Sequence, residues 1–228
     1  MEVEIIQRPG NSAAHVRLNA RESCTAEGGA MIAMSDNLHV ETSTYQKSSG
    51  GGGIIKGLKR LLSGESFFIN HFTASDAGGE LWFAPSLPGD MMVYELDQET
   101  LIVQGGSYVV SEPDVSIDLG WQGFKSFFSG ESVFWIHMTG QGKVILSSFG
   151  AIYPIEVNGE HIVDTGHIVA FNETLNFSVT KAGTSWMSSF LGGEGLVTKF
   201  KGRGTVWCQS HNAVSFGRSL GPMLKPRK

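Results

Sequence analysis

Residues 57–72 read GLKRLLSGESFFINHF, residues 123–138 read GFKSFFSGESVFWIHM, and residues 186–200 read WMSSFLGGEGLVTKF. Each stretch has a bulky apolar segment, a Gly-Glu-small triplet and then an apolar run. The triplets are Gly64-Glu65-Ser66, Gly130-Glu131-Ser132 and Gly193-Glu194-Gly195. Each run leads into a glycine-bearing turn, at Gly79-Glu80, Gly140-Gln141-Gly142 and Gly202-Arg203-Gly204. A second block precedes each of these. Gly29-Ala30-Met31-Ile32-Ala33, Gly106-Ser107-Tyr108-Val109-Val110 and Gly166-His167-Ile168-Val169-Ala170 match one another. Two blocks recurring three times in one order read as three copies of one unit, at about 16–86, 96–148 and 158–210.

Within each copy the runs are short, β-branched or aromatic, and bounded by glycine, which is strand chemistry. The expected fold is mainly β: three pseudo-repeated β units forming one sandwich- or prism-like domain with an internal pseudo-threefold. A single unit of this size has a marginal core, so the three are expected to share one domain over 1–212. Helix-like composition is confined to Ile54–Leu62 and Gln122–Phe128, each under three turns. Ser86-Leu87-Pro88-Gly89-Asp90 predicts a type II turn, with Pro88 at its second position and Gly89 at its third. Residues 213–228 form a tail, whose basic end from Pro222 to Lys228 is expected to be mobile.

Composition narrows the function classes. The 228 residues include 30 Gly, far above average usage, without the three-residue period of collagen. With 41% apolar and only 17% charged residues, the chain can bury a core and is not a disordered segment. A net charge of -5 disfavours nucleic-acid binding. Cys24 and Cys208 are too few for a disulfide framework and have no zinc-like spacing. They fit reduced thiols in a cytosolic protein. The first residues, MEVEIIQRPG, lack a signal peptide's apolar region, and no apolar run approaches bilayer-spanning length. A cytoplasmic protein, at most peripheral to a membrane, is expected.

Further motifs resemble a known family. Gly50-Gly51-Gly52-Gly53-Ile54-Ile55-Lys56-Gly57-Leu58-Lys59-Arg60, followed by Gly64-Glu65-Ser66-Phe67-Phe68, is similar to its first signature. Phe83-Ala84-Pro85-Ser86-Leu87-Pro88-Gly89-Asp90 and the run Val163 to Phe171 resemble two more. That family contains small bacterial and archaeal proteins and is related to a fungal mitochondrial protein named for altered inheritance of mitochondria. The resemblance covers about residues 1–212. It implies a β-rich fold like that of the tryptophan RNA-binding attenuation protein, and it supplies no catalytic residue. A fold likeness does not carry function with it.

Three segments are the foremost interaction candidates. The first is Ile54, Ile55, Lys56, Leu58, Lys59, Arg60 and Leu61, followed by Leu62. The second is Trp121, Phe124, Lys125, Phe127 and Phe128, and the third is Trp186, Met187 and Phe190. A pseudo-threefold places all three at one end. Three cations among aliphatic residues suit an anionic lipid surface, and exposed aromatics suit an interface. The same side chains could equally pack as core or against another subunit, and edge strands favour a homo-oligomer.

Glu65, Glu131 and Glu194 are read as carboxylates accepting turn N–H groups, the alternative being a shared metal. No metal or cofactor is expected. His71 and His137 hold equivalent places, with Phe200 at the same distance from the third Gly-Glu pair, so no three-His ring follows. Asp164 and His167 could form an acid–base pair in a ligand-binding or enzymatic β-sandwich. Ala30 and Ser107 hold the places equivalent to His167, however, and no nucleophile motif accompanies it. The expectation is a non-catalytic scaffold or interaction module.

Overall fold

The computed structural model describes residues 1–44, 68–120, 134–181 and 196–225. The helix-like pieces at Ile54–Leu62 and Gln122–Phe128 lie outside these residues. The first segment supplies β1 (Glu2–Ile6), β2 (Ala13–Leu18), β3 (Ser23–Glu27), β4 (Met31–Met34), β5 (Leu38–Thr44), β6 (Phe68–Ala74) and β7 (Gly79–Phe83). The second supplies β8 (Met91–Gln104), β9 (Tyr108–Ser111), β10 (Val115–Gly120) and β11 (Trp135–Ser147). The third supplies β12 (Ile152–Asp164), β13 (Ile168–Asn172), β14 (Asn176–Lys181) and β15 (Leu196–Gln209). Strand accounts for 67% of the described residues, so the fold is mainly β. The tail is not wholly irregular: α1 (Ala213–Leu220) begins where Asn212 accepts hydrogen bonds from the N–H groups of Val214 and Ser215.

The strands pair antiparallel, by one scheme in each segment. In the second, β8 pairs along all of β11, while β10 covers the first half of β11 and β9 the second. In the third, β12 pairs along β15, with β14 on its first half and β13 on its second. In the first, each long strand is broken in two. There β3 pairs β6 and β2 pairs β7, while β5 lies on β6 and β4 on β7. Irregular register falls at matching places, between Met31 and Ala33, Ile145 and Leu146, and Ile168 and Ala170.

Glycine makes the long strands bend. Gly140, at φ +109, marks the register shift in β11, and a Cβ there would collide with the Asp114 carbonyl. Only glycine occupies that conformation without strain. Gly202 of β15, at φ +135, also takes the left-handed region, and a Cβ there would sit close to the Thr174 carbonyl. Gly89 has a different reason from the one expected. It has no positive φ, as a type II turn requires; instead a Cβ there would strike the Ser148 carbonyl. The chain crosses here at close range: the Ser12 N–H donates to Gly89 and the Gly150 N–H to Pro88. Asp90 locks this crossing by accepting two 2.8 Å bonds from the Arg8 guanidinium and one from Ser12.

Two junctions join the segments. β9 pairs β3, with Ala26 opposite Val110 and Thr25 opposite Ser111. β13 pairs β8, with Val103 opposite Ala170 and Ile102 opposite Phe171. The core follows these seams. Val110 and Ile145 of the second segment are buried with Val16, Phe72 and Phe83 of the first. Ile102 and Trp135 are buried with Phe171, Phe200 and Val206 of the third. Phe171 meets Trp135 and Phe200 edge-on, at 5.2 and 4.9 Å.

Candidate functional site

The register fixes which residues are equivalent. Glu27 lies opposite Ile69, Gln104 opposite Trp135, and Asp164 opposite Val197. Glu27 ends β3, Gln104 ends β8 and Asp164 ends β12, and each opens a tight turn, which in the second and third segments is a short 3-10 helix at Gly105–Ser107 and Thr165–His167. These turns, with the ends of β7, β11 and β15, line a cavity of about 430 Å³. Its wall includes Glu27 and Leu87 from the first segment, Ser107 and Ser147 from the second, and Thr165 and Asn212 from the third. The lining mixes hydroxyl and amide groups with apolar side chains such as Leu87, Phe149 and Val214.

Most of these polar groups already have structural partners. The Asp164 carboxylate accepts from the Gly166 N–H at 2.8 Å and from the Asn212 amide at 3.4 Å. His167 Nδ1 donates to the Gln209 carbonyl at 2.8 Å, since a carbonyl can only accept. The Gln209 amide donates to the Gly166 carbonyl and accepts from the Phe149 N–H. Thr165 and Thr198 share a buried hydroxyl bond of 3.0 Å. Asp164 thus ties the turn to the N-cap residue of α1, and His167 ties it to the end of β15. Glu27 differs: burial pushes its carboxyl up to about 7, and among the described residues no donor or cation offsets that effect.

Glu27, Ser147, Gln209 and Asn212 were not evident as site residues. The repeat itself holds the signal, because Glu27, Gln104 and Asp164 each lie two residues before an aligned glycine: Gly29, Gly106 and Gly166. The predicted interaction residues all lie outside the described residues: Ile54, Ile55, Lys56, Leu58, Lys59, Arg60 and Leu61; Trp121, Phe124, Lys125, Phe127 and Phe128; Trp186, Met187 and Phe190. So do Gly64, Glu65, Gly130, Glu131, Gly193 and Glu194. What is described is where those stretches start and finish. They connect Thr44 to Phe68, Gly120 to Trp135 and Lys181 to Leu196, which are facing residues of three antiparallel pairs.

One equivalence is corrected. His71 and His137 stand opposite Thr25 and Ile102, and the residue opposite the matching Ile162 is Lys199, not Phe200. The third segment is one residue shorter after its Gly-Glu pair, so Phe200 turns inward with Phe72 and Met138, all fully buried. His71 is held between the Thr25 and Ser43 hydroxyls at 3.0 and 3.1 Å. Burial pushes the Cys24 and Cys208 thiols up to about 12 and about 11, which leaves them poor nucleophiles.

Fold and site together define an antiparallel β protein whose cavity sits where three similarly paired segments meet. Residues 3–211 match the family described as Mitochondrial biogenesis AIM24, and the chain belongs to that family. It is 29% identical to an uncharacterised protein of Streptococcus pyogenes serotype M6 over 196 residues, spanning 84% of this chain and 78% of that one. It also resembles the crystal structure of a Streptococcus pyogenes protein, with a TM-score of 0.80 and 25% identity. That alignment covers 98% of this chain and 99% of the other. None of the described helices is long and apolar enough to cross a membrane.

Proposed function

We propose that the protein is a non-catalytic interaction scaffold, built as three copies of one β unit about an internal pseudo-threefold. Three apolar segments serve as its contact surface. The observation that carries this reading is the pairing scheme, which recurs in all three segments and in each opens into one of those stretches. The commitment of Asp164, His167, Gln209 and Asn212 to turn and strand hydrogen bonds supports a structural rather than a catalytic role for them.

The contact is with an anionic membrane surface, at which the protein is peripheral. Lys56, Lys59 and Arg60 supply the charge, while Ile54, Leu61, Trp121, Phe124, Trp186 and Phe190 supply groups that enter the interfacial zone. Each basic residue near such a surface is worth about 1 kcal/mol, so reversing three charges is expected to weaken binding at least about a hundredfold. Vesicle sedimentation tests this. Wild type should pellet with anionic but not neutral vesicles, and Lys56/Lys59/Arg60→Glu should stay in solution. Equal behaviour on both vesicle types would remove the membrane from the account.

A further inference from the structure

The turn positions Glu27, Gln104 and Asp164 are equivalent in register, but their side chains are used differently. Asp164 spends its carboxylate on its own turn, accepting from the Gly166 N–H at 2.8 Å and from the Asn212 amide at 3.4 Å. Gln104 is neutral, and its side-chain oxygen accepts from the Ser107 hydroxyl at 3.5 Å. Glu27 does neither. Among the described residues no hydrogen bond or ion pair reaches its carboxylate, although it stands on the wall of the 430 Å³ cavity. A half-buried carboxylate without a partner costs free energy, and the donors that serve Asp164 have no counterpart here.

The rest of the wall defines what complements it. No Lys, Arg or His is among the described lining residues, so an anion finds no counter-charge there. An inorganic divalent cation takes several oxygen ligands, whereas Glu27 is the one carboxylate on the described wall. Among the described residues no three His, Cys, Asp or Glu side chains cluster in a way that could hold a metal. Pro85, Leu87, Phe149 and Val214 contribute apolar surface, and the volume suits a small molecule.

We infer that the cavity binds a small organic amine, whose ammonium pairs with the Glu27 carboxylate while its carbon skeleton lies against Leu87 and Phe149. Such a ligand brings both the positive charge and the N–H donors that Glu27 lacks. The site is not the Asp164–His167 pair, whose groups are committed to turn and strand. It uses none of the residues of the membrane contact and does not depend on that reading.

Titration calorimetry of the full chain tests this with n-butylammonium and phenethylammonium, beside the alcohols of the same two skeletons. Near pH ~8 each ammonium should bind in one saturable step, at least about tenfold more tightly than its alcohol. Burial places the Glu27 carboxyl at about 7, so it is mostly ionised near pH ~8 and mostly protonated near pH ~6. Affinity for both ammonium probes should therefore fall about tenfold between those values, while the alcohols stay level. The Tyr108 phenol and Cys24 thiol near Glu27 are pushed up by burial and stay neutral throughout. Asp90, bonded to the lining residue Ser148, stays paired with Arg8. Glu27→Gln should retain the wild-type fold and lose the preference for ammonium over alcohol. No saturable binding of either ammonium to wild type would overturn the proposal, as would alcohols that bind equally well. Neither result depends on the variant. An affinity that rises as pH falls would also overturn it, because the ligand would then select the protonated carboxyl.

Discussion

Glu27 is a half-buried carboxyl on the cavity wall, and burial alone sets its behaviour. Its folded-state pKa is raised to about 7, so the folded chain holds this proton more tightly than the unfolded chain does. Wild-type stability therefore falls as pH rises from the ordinary glutamate range through about 7. Glu27→Gln cannot ionise, so it should exceed wild type by about 1–2 kcal/mol near pH ~8 and match it near pH ~4. Urea unfolding at both pH values checks this. The residue was not legible as a site because nothing around Glu27 in sequence marks it as buried. Asp164 and His167 were legible as a motif, but not in their structural role. The partners that engage them, Asn212 and Gln209, lie more than forty residues downstream.

At the scale of elements, the block that follows each aligned glycine has a defined place in the pairing, while the Gly-Glu blocks lie outside the described residues. Gly29, Gly106 and Gly166 precede β4, β9 and β13, whose registers match. This much could be read from spacing, because a strand bounded by glycine leaves a local trace. The break of each long strand in the first segment left no such trace, nor did the one-residue difference that exchanges Lys199 for Phe200. Both became apparent only from cross-strand partners. Equivalent positions also predict unequal costs. Ile102 is sealed in a junction, so Ile102→Ala should cost about 2–4 kcal/mol, whereas Ile162→Ala in the monomer should stay within about 0.5 kcal/mol of wild type. Denaturant midpoints of the two variants at low protein concentration make the comparison.

For the whole molecule, the account describes three similarly paired β segments, two internal junctions and one pair of unmatched edges. The family assignment is compatible with this arrangement and does not depend on it. The mainly β class was legible because short β-branched and aromatic runs bounded by glycine recur along the chain. The exposed edges of β4 and β12 were not. Met31, Ile32, Met34 and Ile162 look like core residues in sequence, as their counterparts are in the fold. The most direct measurement is vesicle sedimentation of the full chain, wild type beside Lys56/Lys59/Arg60→Glu. Wild type should pellet with anionic vesicles and the variant should remain in solution. Equal pelleting of wild type with anionic and neutral vesicles would contradict the account.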